Sequence, residues 1–187
     1  KNAPGDKIVA VLGAAHVPGV KKEIFKEQNL NEITKLPPKP KWVKIFSWGI
    51  PAVILVIIIS SFINNLNTGL EVTKTWIFWN GLLAAIGTLL AKGHILTILT
   101  AFVVAPLSSL NPALAAGWFA GLTEAYFKRP QVKDFQKLSD GISIKEIYTN
   151  KVTHILLIVI LANLGSVIGT AIGGANVIRI FLDFFTF

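Results

Sequence analysis

The 187 residues are 52% hydrophobic and 15% charged, against roughly 25% charged in a soluble domain, which excludes a conventional water-soluble globule and makes membrane lipid the expected partner. With no cysteine, disulfides and thiolate metal sites are excluded as well. The net charge of +8 does not mark a nucleic-acid partner, because the basic residues flank apolar runs, which is the membrane pattern.

Lys7-Ile8-Val9-Ala10-Val11-Leu12-Gly13 reads as a buried β-strand, a short β-branched run closed by glycine. A strand needs ladder partners, and no other stretch reads as one. Its partners are therefore expected upstream of Lys1, and the absence of any methionine points to the same truncation. Ala14-Ala15-His16 leads through Val17-Pro18-Gly19 into a helix expected to reach about Asn29, with Pro18 in its first turn. Residues 31–44 form a linker, in which Leu36-Pro37-Pro38-Lys39-Pro40-Lys41 must be extended and semi-rigid.

The first predicted span covers residues 45–62, with Trp42, Phe46 and Trp48 where an aromatic belt would sit. Residues 64–69 are a turn, and the second span covers residues 75–91, with Trp76 and Trp79 at its start. As one helix, residues 95–127 would measure about 50 Å, too long for a hydrocarbon core of about 30 Å. Pro106 and Ser108-Ser109-Leu110-Asn111-Pro112 mark a break. The halves form either two tilted passes or a re-entrant pair, and in both cases the outer ends return to one face. A last span covers residues 152–172. The tail, residues 177–187, has Arg179 and Asp183 at i,i+4 spacing and is expected to lie in the interface. The fold class is thus mainly α: a polytopic transmembrane bundle preceded by the strand–helix end of a mixed α/β soluble domain.

Orientation follows from charge. Residues 1–44 hold nine Lys against four acids, and residues 128–151 hold six basic residues against three acids. The positive-inside rule places both segments, with the Lys92 turn, on the cytoplasmic side of the cell membrane and residues 63–74 outside.

Small residues recur every fourth position: Gly165, Gly169 and Gly173 form one ridge, Ala113, Gly117, Gly121 and Ala125 another. Lipid gives helices no hydrophobic reason to associate, so close backbone approach is what such ridges provide. Packing within the chain is the plainer use, and a homodimer is the alternative. Ionisable and amide groups at membrane depth are costly and therefore informative. Glu124 leads, with Asn80, Asn111 and Asn163 as candidate partners. It reads either as a carboxylate one turn from the basic face, near Lys128 and Arg129, or as a transport or proton-relay group. Lys92, His94 and His154 read as interfacial residues near span ends. Asn111-Pro112-Ala113 matches the tripeptide of water channels, but those need two copies and one is present, so it reads as a helix break. In Gly13-Ala14-Ala15-His16 the histidine follows a strand and a tight turn, where a neutral imidazole can bind metal or move protons. A lone histidine is more often structural, and no second ligand sits at suitable spacing.

The run Val9-Ala10-Val11-Leu12-Gly13-Ala14-Ala15-His16-Val17-Pro18-Gly19-Val20 resembles the second GxxH segment of the TraB, or pheromone-shutdown, family. Asn111-Pro112, Ala115-Ala116-Gly117-Trp118, Ala120-Gly121-Leu122-Thr123-Glu124-Ala125, Lys128-Arg129-Pro130, Val132-Lys133-Asp134-Phe135 and Leu161-Ala162-Asn163-Leu164-Gly165-Ser166 are similar to the membrane half of its archaeal-type members. The resemblance implies a GxxH soluble domain ending in residues 1–30, the linker 31–44 and a transmembrane helical domain over residues 45–187. Through the Tiki-like metalloproteases of the wider group, it also implies a metal-dependent peptide hydrolase or peptide-signal inactivator. In that group two GxxH histidines and acidic residues hold a divalent metal ion. His16 carries over as the candidate catalytic and metal-binding residue, and a peptide is the implied substrate. Two alternatives stand beside this: a membrane-embedded binding or transport module built on Glu124 and the Asn111-Pro112 break, and a non-catalytic peptide-sequestering or sensing protein.

Overall fold

The computed structural model describes residues 7, 9–24, 26, 29, 34, 41–140 and 143–186. The chain divides into two compact units, Lys1–Lys39 and Pro40–Phe187. In the first, residues 9–13 have no regular structure, Ala14–His16 is a single 3-10 turn, and helix α1 runs Val17–Glu23. The predicted strand is therefore not formed, and no strand occurs among the described residues. Without a neighbouring strand its backbone groups have no ladder to join. The helix also stops short of Asn29. Val20 and Ile24 stay exposed, and a helix this short gains little from propagation.

The second unit is a helical bundle. Its helices are α2 (Lys41–Asn64), α3 (Leu66–Leu90), α4 (Ile95–Ser108), α5 (Ala116–Lys128), α6 (Val132–Gln136), α7 (Ile144–Thr149) and α8 (Lys151–Thr186). Residues 41–44, assigned to the linker from sequence, are already helical. A single residue, Asn65, connects α2 to α3. Its backbone is extended, and its Oδ1 accepts from the Asn67 and Thr68 amides at 2.8 and 3.3 Å. That cap satisfies donors that would otherwise be orphaned. The expected six-residue turn shrinks to one residue, and α3 starts at Leu66 instead of Thr75. The hairpin is antiparallel, with Ile54 and Ile57 against Val72 and Trp76 and with Val177 of α8 completing the cluster. Trp76 is thus a core residue, not a belt residue. It is 2% exposed, and its indole N–H donates to the Pro106 carbonyl at 3.1 Å.

Residues 95–127 do form a broken pair. Helices α4 and α5 have 14 and 13 residues, about 20 Å each, with residues 109–115 as the tip between them. Pro106 sits inside the last turn of α4, where its missing N–H costs one bond near an end that was already terminating. Helix α8 corrects the expected tail: it continues unbroken for 36 residues, about 54 Å, so residues 177–186 extend the last helix and are not a separate interfacial element. Arg179 Nε and Asp183 Oδ2 lie 3.8 Å apart on its exposed surface.

The longest contact in the bundle is between α3 and α8. A Cβ on Gly169 would lie 2.8 Å from both the Asn80 Cα and the Trp79 carbonyl oxygen, and one on Gly165 would run into the Leu83 carbonyl. Gly117 and Gly121 of α5 face Val159 of α8 in the same way. Both small-residue ridges therefore pack within the chain. Ala113 lies outside α5, in the tip.

Away from the cluster around Trp76, the packing is inverted relative to a soluble protein. One core cluster is Ala84, Ala91, Ala101, Ala105, Ala116, Ala120 and Ala162 around a single large side chain, Ile158. Asn80, Thr88, Thr97 and Glu124 are fully buried among them. Outside, Val56, Val103, Leu122 and Val167 are 62, 62, 71 and 66% exposed. Among the described residues two helices, α2 and α8, are by length and composition long and apolar enough to cross a membrane; α4 is apolar but has 14 residues. Helix α3 is long enough, but Asn67, Glu71 and Lys74 dilute its first half.

Candidate functional site at a buried carboxylate

The site begins with the turn after α3. Lys92 takes a left-handed φ of 61°; its amide donates to the Leu89 carbonyl at 2.8 Å and that of Gly93 to Thr88 at 3.0 Å. This reversal sets His94 in extended backbone as the N-cap of α4, with Nδ1 accepting from the Leu96 amide at 3.2 Å. The His94 amide is then free of the helix and donates to Glu124 Oε2 at 2.9 Å. One turn further, the Thr97 hydroxyl donates to the same oxygen at 2.7 Å. The His94 ring stacks on Phe127, with centroids 4.1 Å apart.

Glu124 belongs to the last turn of α5, on the stripe of Gly117, Ala120 and Gly121 that helical spacing turns inward. It is fully buried. Its second oxygen, Oε1, lies 3.6 Å from His154 Nδ1 and 3.9 Å from Lys128 Nζ, both beyond hydrogen-bond range. The His154 side chain is 4% exposed and that of Lys128 42%. Neither Glu124 Oε1 nor His154 Nδ1 has a hydrogen-bond partner among the protein atoms. The result is a carboxylate held firmly on one side and faced by an imidazole on the other.

The amides expected beside Glu124 are elsewhere. Asn163 Oδ1 accepts from the Gly117 amide at 2.8 Å. Asn80 accepts from Thr170 at 3.0 Å and donates to the Trp76 carbonyl at 3.3 Å. Asn111 accepts from the Ala113 amide at 3.0 Å, shaping the tip. Asn111 and Asn163, with Ser108, Ser166 and Thr170, line a cavity of about 980 Å³ whose wall does not include Glu124. The groups that do meet Glu124 are the His94 turn, Thr97, His154 and, as its spacing implies, Lys128; the two histidines read from sequence as interfacial. A signal was present: orientation by charge puts the Lys92 turn and residues 128–151 at one end, and Glu124 lies one turn from that end.

His16 is exposed, and its amide donates to the Gly13 carbonyl at 2.9 Å, so the GxxH segment closes a turn. A catalytic metal site of the zinc type has about three protein ligands. Among the described residues no three His, Asp or Glu are grouped to hold a metal, and His16 alone does not make up such a site.

The class that emerges is a mainly helical bundle whose core combines one cluster of large apolar residues with one of small and polar residues, with large apolar residues also outside and a buried carboxylate at one end. Residues 42–184 match the model of the TraB family protein, C-terminal domain. The chain belongs to the TraB family. It is 35% identical over 175 residues to Uncharacterized protein MJ1365 of Methanocaldococcus jannaschii, an alignment that covers 88% of this chain and 44% of that one. The chain thus spans less than half the length of the curated relative it matches. No solved structure matches it.

Proposed function

We propose that the bundle is the membrane-integral module of a TraB-family protein and holds a GxxH-bearing soluble part at the membrane. The observation that supports this is the inverted packing. Large aliphatic side chains cover the outside while alanine, glycine and polar groups fill much of the inside beside the cluster around Trp76, and such an exposed apolar surface is one that water would penalise and lipid favours. Cells expressing the full-length protein should retain it in the membrane fraction after alkaline extraction. Release into the aqueous supernatant would sink the reading.

The resemblance to the Tiki-like group extends this to a metal-dependent peptide hydrolase or peptide-signal inactivator, with His16 as one metal ligand. The described residues supply only that donor, so this extension rests on the resemblance. It predicts that His16→Ala lowers the metal content of the purified full-length protein; unchanged content would remove His16 as a ligand. A second reading, a membrane-embedded binding module, draws support from the cavity walled by Asn111 and Asn163, which is of the size that accepts a small molecule.

A further inference from the structure

We infer that Glu124 and His154 form one shared proton-binding site, reached from the end of the bundle that carries Lys128. The inference goes beyond the membrane-module reading and stands on burial and geometry alone. Glu124 Oε2 is committed, since it accepts from both the His94 amide and the Thr97 hydroxyl. What remains is Oε1 against His154 Nδ1 at 3.6 Å, both buried and neither bonded to any other protein atom. Nδ1 is the ring nitrogen that faces the carboxylate, and where the hydrogen of a neutral ring sits on Nε2 it presents a lone pair there. An ionised Glu124 would then set two buried acceptors against each other with no hydrogen between them, which is costly.

One added proton resolves the conflict. Placed on Oε1, it makes a neutral acid that donates to Nδ1; placed on Nδ1, it makes an ion pair. The two groups therefore titrate as a pair. The other charged groups nearby fix the access route. Lys128 Nζ, 3.9 Å from Oε1 and partly in solvent, competes with the proton for the carboxylate. Lys92 Nζ lies over the Tyr148 ring, 5.4 Å from its centroid. The His94 Nδ1 is occupied by the Leu96 amide. Asp134 and Glu146 cap their own short helices. Behind the pair, Ile158, Ala162 and Ala120 form a fully buried apolar layer. The proton comes and goes on the Lys128 side, away from that apolar layer.

The test uses the full-length protein in detergent with 15N-labelled histidine, following the ring nitrogens of His154 against pH. Wild type should show a single-proton step. In Glu124→Gln the amide N–H can donate to Nδ1 as the protonated acid does, so His154 should remain a neutral acceptor and the step should vanish. Lys128→Ala removes the competing cation, and the midpoint should move up by about one pH unit, a tenfold gain in proton affinity. A His154 titration identical in wild type and Glu124→Gln would overturn the shared site. Should Glu124→Gln not fold, wild type against Lys128→Ala decides: an unmoved midpoint overturns the proposal, and an upward shift supports it.

Discussion

Thr97 shows how much of the buried site rests on single hydrogen bonds. Its hydroxyl is one of two donors to Glu124 Oε2 and is itself fully buried. Thr97→Val keeps the shape and removes the donor, so it should cost about 1–3 kcal/mol. Thr97→Ser, which keeps the hydroxyl, should cost clearly less. Thermal melting in detergent measures both, and equal losses would mean that packing, not the hydrogen bond, matters at this position. The cost of burying Glu124 was legible in the sequence because a carboxylate among apolar residues is expensive, and so was its neighbour Lys128. Its other partners were not. Asn80, Asn111 and Asn163 looked apt by chemistry, yet each answers a local backbone or hydroxyl demand, and which residues meet Glu124 depends on how α4 and α8 are set against α5. His94 and His154 carry no such mark in a linear chain, since a histidine near a span end reads the same whether it faces water or a buried acid.

Among the elements, the contact between α3 and α8 is the one that a single substitution should break. At Gly169 even a methyl group would lie 2.8 Å from backbone atoms of Trp79 and Asn80, which cannot swing aside. Gly169→Ala should therefore destabilise the bundle by about 1–3 kcal/mol, and Gly169→Leu by more. Gly49 offers the control, because nothing lies within 4 Å of a Cβ there, and Gly49→Ala should melt like wild type. Equal melting of Gly169→Ala and wild type would make the ridge incidental. The ridge was readable because its period is the helical one. The break between α4 and α5 was readable because length and proline agree. Two other boundaries were not. Asn64-Asn65-Leu66-Asn67 has the composition of a loop, but Asn65 alone suffices as a cap, so the polar residues after it become the first turn of α3. The tail of α8 was detached at a glycine-rich stretch that in fact continues, with Asn176 Nδ2 bonding back to the Ile172 carbonyl at 2.8 Å. The lone strand failed for the opposite reason: its composition is right, but a strand exists only in company.

At the scale of the whole bundle, charge and packing agree on a direction. Glu124 ties the Lys128 end of α5 to the Lys92–His94 turn and to the start of α8, and Lys92 reaches Tyr148 of α7. The α2–α3 hairpin is antiparallel, so the start of α2 lies at this same end while Asn65 lies about 38 Å away, the length of the 25-residue α3. The start of α2, the Lys92 turn and Lys128 thus share one end, and the positive-inside rule would make that end cytoplasmic. The resemblance to a peptide-inactivating group pulls the other way, since a protein acting on external peptides would hold its soluble part outside. Cysteine labelling separates the two, because the chain has no native cysteine. Lys145 of α7 and Asn67 of α3 are both exposed and mark opposite ends. On intact cells an impermeant maleimide should label Asn67→Cys and leave Lys145→Cys untouched until the membrane is opened. The reverse pattern would place the basic end outside, and with it the segment that leads into α2, giving the peptide-hydrolase reading access to its substrate. Labelling of both positions on intact cells would show that the bundle does not separate its ends across a membrane at all, and the inverted packing would then need another partner to cover it.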